Sequence, residues 1–168
     1  YLRSVAMSPE GVTVSRYRLL DLGAVFTAST TTGLYANKAA KNDTLPFSKF
    51  GQIEANGVPY KIVDPKSAKG GLNLIVLKGG AGKGSYSKSF AQKVEIPVGS
   101  PASRIHFLGA VGGWGNHDGV AMIAEVQFLS GKVQKETYYG GRDFADYNGT
   151  GDVPGSKSAR HLLNGDGR

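Results

Sequence analysis

Three short stretches hold the residue types that could carry chemistry. Residues 112–118 surround the only tryptophan, Trp114, with three glycines and then Asn116, His117 and Asp118. An exposed indole face stacks on the C–H face of a pyranose, and the neighbouring amide, imidazole and carboxylate can bond hydroxyls. The alternative is that Trp114 plugs the end of a core, since tryptophan is highly buried on average. Residues 138–147 bring Tyr138, Tyr139, Arg142 and Asp143 together just past a strand pattern. Arg142 offers a planar fork of donors to a ligand. Equally, Phe144 and Tyr147 pin that loop while Arg142 pairs with an aspartate. The third stretch places Asp146, Asn148 and Thr150 at positions one, three and five, Gly151 at six and Asp152 at seven. That is the first half of a calcium loop, with glycine permitting the sharp turn. The twelfth position is Lys157 rather than Glu, which excludes an EF-hand and leaves either a looser structural calcium site or an oxygen-rich turn that bonds its own backbone, with no other cofactor expected.

Other constellations fail on spacing. The run Gly79-Gly80-Ala81-Gly82-Lys83-Gly84-Ser85 imitates a phosphate loop. However, Leu77 stands where the first glycine belongs and Gly84 where the magnesium-binding hydroxyl belongs. His106 lies within a strand pattern, between Ile105 and Phe107, where a hydrogen-bonded structural role is the ordinary one. No HExxH or Gly-x-Ser-x-Gly occurs, and no catalytic residue is assigned. An accessory domain is expected rather than an enzyme.

The 168 residues predict a single domain, with 25 Gly and no Cys, so disulfides and thiolate chemistry are excluded. Lys and Arg outnumber Asp and Glu by 20 to 13, a formal charge of +7. The lysines are scattered, with no basic block, RRM signature or zinc finger, and no nucleic-acid partner is expected. No apolar run approaches the ~20 residues of a membrane span. Residues 1–10 lack both an initiator Met and the charged-then-apolar order of a leader, so the chain reads as a mature form or a piece of a longer protein.

The elements that must position these residues read as strands. Residues 12–19 alternate apolar and polar. Residues 27–50 read as a long loop. Strands are expected at 58–63, 72–77, 93–98, 104–108, 121–129 and 132–139, the last two joined at Ser130-Gly131. Short strands with glycine turns and no convincing helix predict an all-β antiparallel sandwich. The domain is placed at 12–155, after an N-terminal extension at 1–11 and before a polar tail at 156–168.

Several phrases resemble one family: Leu20-Asp21-Leu22, Gly57-Val58-Pro59-Tyr60-Lys61-Ile62-Val63-Asp64-Pro65, Leu72-Asn73-Leu74-Ile75-Val76-Leu77-Lys78-Gly79, Val94-Glu95-Ile96-Pro97-Val98-Gly99, Ile105-His106-Phe107-Leu108-Gly109 and Gly113-Trp114-Gly115. In this order they resemble the galactose-binding-like jelly-roll domains appended to bacterial glycoside hydrolases. The resemblance covers about residues 18–148. It implies a jelly-roll β-sandwich, non-catalytic binding of a polysaccharide or oligosaccharide, and an extracellular or periplasmic location. The alternative is a structural or subunit-assembly domain with no ligand of its own. Two features depart from the family pattern. Residues 27–50 lack the acidic, Trp-containing loop of related domains, and the polar tail offers only Leu162-Leu163 where a closing strand is expected. The expectation is a chain that stops before that strand, with another chain or domain supplying it by edge addition.

Overall fold

The computed structural model describes residues 16–32, 34, 43–79, 87, 89–112, 119–147 and 152–163. Its strands are β1 (Gly51–Ala55), β2 (Val58–Ile62), β3 (Val120–Gln127) and β4 (Val133–Tyr139). The helical elements among the described residues are two three-residue 3-10 turns, Lys69–Gly71 and Arg160–Leu162. Among the described residues the structure is all-β, with two small antiparallel sheets, β1–β2 and β3–β4. No helix among the described residues is long and apolar enough to cross a membrane. The chain divides into two compact units: Tyr1–Leu108 with Leu162–Asn164, and Gly109–His161 with Gly165–Arg168.

In the first unit, β1 and β2 form a hairpin around Asn56 and Gly57, whose φ angles are 53° and 74°. Positive φ at both central residues is the turn whose twist matches a two-residue hairpin, and Asn-Gly is its preferred sequence. Register then sorts the side chains. Ala55 opposes Val58, Ile53 opposes Tyr60 and Gly51 opposes Ile62 on one face; Gln52, Glu54, Pro59 and Lys61 occupy the other. The first face is the covered one: Ile53, Ala55 and Ile62 are buried, each isoleucine contributing about 2 kcal/mol. Pro59 falls at a non-hydrogen-bonded pair, where its missing N–H removes no ladder bond.

Strand β1 was not expected from the sequence, and four expected strands are irregular in their described residues. Residues 72–77 make one bridge, Ala28 to Leu74. Beyond it the Thr27 hydroxyl substitutes for a backbone rung: it donates to the Val76 carbonyl (2.9 Å) and accepts from the Val76 N–H (2.7 Å). The buried Asn73 amide does similar work, accepting from the Thr30 N–H (2.8 Å) and donating to Thr30 Oγ1 (2.8 Å) and the Val63 carbonyl (2.7 Å). Side-chain bonds therefore join segments that backbone ladders would otherwise join. Residues 93–98 carry no ladder among the described residues, yet Lys93 pairs with Glu95 at 2.7 Å, as extended i, i+2 neighbours can. Residues 104–108 hold a single bridge position at Ile105. Within the expected 12–19 strand, residues 12–15 lie outside the described residues and 16–19 hold one bridge position, Arg18. Leu162 and Leu163 belong to this unit: the Leu162 side chain is buried, its carbonyl accepts from the Ser48 N–H (2.8 Å), and Leu163 bridges Phe47.

In the second unit, β3 and β4 pair from Gln127–Val133 to Val120–Tyr139, with a bulge at Ala121. The connection is a three-residue loop, 129–131, rather than the expected Ser130-Gly131 pair. Phe128 and Lys132 close it at 2.8 Å, and Gly131 takes φ 82°. Glu125 and Lys135, directly opposed, form an ion pair of 2.6 Å. The same face carries Val120, Ile123 and Val133, all exposed.

Candidate functional site

Successive residues of a strand point to opposite faces, and this divides the tyrosines at the end of β4. Tyr138 meets Phe144 edge to face, with ring centroids 5.8 Å apart. Tyr139 instead lies beneath Arg142, whose guanidinium carbon sits 4.2 Å from its ring centroid. The two adjacent tyrosines therefore make two separate contacts.

The turn after β4 is built to hold Arg142 there. Gly141 adopts φ 75°, and its N–H bonds the Phe144 carbonyl at 2.9 Å. The Asp143 and Phe144 N–H groups both return to the Tyr139 carbonyl, at 2.9 and 3.2 Å. Asp143 Oδ2 then accepts from the Tyr139 N–H (2.8 Å) and from Arg142 Nε (3.0 Å) and Nη2 (2.6 Å). The hydrogen bond from Arg142, followed by that from the Tyr139 N–H, holds the Asp143 carboxyl below the usual aspartate range. Burial, then the carboxylates Glu136 and Asp143, push the Tyr138 phenol up. The result is a cation held over an aromatic ring and anchored by its sequence neighbour.

A second segment closes on this corner. The Gly155 N–H donates to the Arg142 carbonyl at 2.7 Å. A Cβ on Gly155 would stand 2.5 Å from Asp143 Oδ1 and 2.6 Å from the Arg142 carbonyl oxygen, so only glycine fits. Sequence reasoning did not single out Gly155; it lies in an unpatterned Pro-Gly-Ser run, and its signal is visible only in three dimensions.

Trp114, Asn116, His117 and Asp118 lie outside the described residues, as do Asn148 and Thr150 of the calcium stretch. Asp146 is placed by a parallel bridge to Val111, flanked by the bonds Val111 N–H to Ala145 carbonyl and Tyr147 N–H to Val111 carbonyl, both 2.9 Å. Asp152 is exposed. Among the described residues no three His, Asp or Glu side chains converge as a metal site would require.

Sequence reasoning also missed a cluster in the first unit. Tyr17 and His106 meet edge to face at 5.9 Å and 69°. Burial, with a lesser contribution from Tyr17, pushes the phenol of Tyr60 in β2 up. The three residues come from segments far apart in sequence, so no local motif could announce them.

No protein-family model, curated protein or solved structure matches this chain.

Proposed function

We propose that the chain is a non-catalytic jelly-roll module that binds polysaccharide or oligosaccharide outside the cytoplasm as part of a larger carbohydrate-active protein. The observation that carries the reading is the Arg142–Tyr139 stack. The Arg142 side chain is 53% exposed while Asp143 holds it over the Tyr139 ring, so an exposed guanidinium surface is presented with little rotamer freedom left to lose. The same reading assigns sugar contacts to Trp114, Asn116, His117 and Asp118, and a structural calcium to Asp146, Asn148, Thr150 and Asp152. A glycan array with Trp114→Ala and Arg142→Ala as controls tests this. Binding by the unaltered chain that weakens in either variant is expected; no binding to any glycan defeats the proposal.

A second reading, an assembly domain without a ligand, draws on a different observation. Val120, Ile123 and Val133 share one exposed hairpin face, at 59%, 55% and 46%, and fully exposed Leu129 tips the loop. Such patches mark contact surfaces. Concentration-dependent self-association, abolished by Ile123→Lys, would favour this reading over the first.

A further inference from the structure

We infer that the exposed face of the β3–β4 hairpin is a self-complementary interface whose occupant is a second copy of this chain, packed face to face about a two-fold axis that runs along the strands. The inference deepens the assembly reading and rests on it.

Strand alternation puts four opposed pairs on this face: Val120 with Tyr139, Ile123 with Thr137, Glu125 with Lys135, and Gln127 with Val133. On the other face Met122, Ala124, Val126 and Tyr138 are already half-buried. The open side is therefore the one with Val120, Ile123 and Val133 exposed. A two-stranded sheet is marginal in water by itself and gains from a covering layer.

Charge selects the partner. The chain carries +7, so two copies repel unless they meet where charge is balanced. Among the described residues, the charges of this face are two held pairs. Glu125 and Lys135 are 2.6 Å apart, and Arg142, over the Tyr139 ring, lies 2.6 Å from Asp143. Rotation about the strand direction lays β3 of one copy over β4 of the other. Each residue then meets, across the interface, the residue type it already opposes in its own hairpin: Ile123 meets Thr137, Val133 meets Gln127, and Val120 meets Tyr139. Glu125 of each copy sits against Lys135 of the other, so the four charges alternate in sign around a square. Stacked sheets commonly keep their strands within about 30° of each other, as this arrangement does. A partner of unrelated sequence has no reason to repeat the pattern, whereas a second copy must.

Sedimentation velocity of the whole chain over a range of concentrations tests this, with Glu125→Lys and Lys135→Glu run separately and as an equimolar mixture. The unaltered chain should dimerise, and each variant alone should weaken the dimer about tenfold or more, because like charges then face each other across the axis. The mixture should restore it, since each repelling position is matched by the opposite charge in the mixed pair. Neither variant keeps the ion pair within its own hairpin, so the recovery cannot come from repair inside one chain. Glu125→Lys adds two to the formal charge of +7 and Lys135→Glu subtracts two, so both chains stay positive and net charge does not draw them together. If either variant loses its fold by circular dichroism, the Ile123 and Val133 methyls of the unaltered chain give a second answer: rising concentration should shield them from a soluble paramagnetic probe. Dimerisation that ignores both variants and leaves those methyls accessible overturns this inference while the assembly reading stands. Weakening by both variants with no recovery in the mixture overturns the two-fold arrangement. A chain that stays monomeric at every concentration defeats this inference and the assembly reading's self-association together.

Discussion

The N–H of Gly155 lies 2.7 Å from the carbonyl oxygen of Arg142, and the space where a side chain on Gly155 would begin is already filled by Arg142 and Asp143. Gly155→Ala should therefore push the 152–156 segment away from the corner. The expected cost is about 1–3 kcal/mol, as for other overpacking substitutions. Thermal melting and proteolysis near residue 155 would read it, and a variant as stable as the unaltered chain would contradict the geometry.

Asp143 gives the corner its pH dependence. Its folded carboxyl titrates below the unfolded value, so the stability it contributes is complete above the ordinary aspartate range, about pH 4, and is lost as pH falls through the lower folded value. Asp143→Asn should remove that acid-side loss and speed hydrogen exchange at the Tyr139 amide, whose acceptor becomes weaker. Exchange rates measured from pH 3 to pH 7 would check both effects.

Asn73→Ala should cost roughly 2–4 kcal/mol, because it leaves the Thr30 N–H and the Val63 carbonyl without their partner in a buried setting. Denaturant titration measures this. Asn73→Asp should also destabilise, since a carboxylate cannot donate to the Val63 carbonyl.

Tyr60 provides an alkaline counterpart to Asp143. Its phenol titrates above its unfolded value, so the stabilising effect of the neutral ring is complete below the ordinary tyrosine value of about 10 and is lost as pH rises through the folded value. Ultraviolet titration should show late ionisation of both Tyr60 and Tyr138, and Tyr60→Phe should remove one of the two late-ionising groups.

The legible parts of the fold were short runs bounded by a local turn. Residues 121–129 and 132–139, on either side of Ser130-Gly131, became β3 and β4, and 58–63 became β2. Strand β1 is short and begins at Gly51, with φ 95°, so its alternation is faint; the Asn56-Gly57 dipeptide after it was the stronger signal. Residues 72–77 looked like a strand because their apolar pattern is real. What the pattern could not reveal is that Thr27 and Asn73 would supply side-chain bonds in place of a ladder. In the candidate site, the proximity of Arg142 to an aspartate was readable from adjacent residues. The opposite facing of Tyr138 and Tyr139 follows from strand geometry alone. Gly155 and the Tyr17–His106 contact depend on tertiary approach, which no spacing rule encodes.

The Asn56-Gly57 turn also sets an order of events. A two-residue hairpin closes in about 1–10 μs and needs no distant chain to arrive. The bridge from Ala28 to Leu74 and the bonds of Asn73 to Thr30 must first close far larger loops, at a greater entropic cost. Assembly of the first unit should therefore begin at residues 51–62 and finish at Asn73. Gly57→Ala, strained at φ 74°, should mainly slow folding, whereas Asn73→Ala should mainly hasten unfolding. The turn is then the place where this unit starts to become itself, and the buried amide is the clasp that keeps it shut.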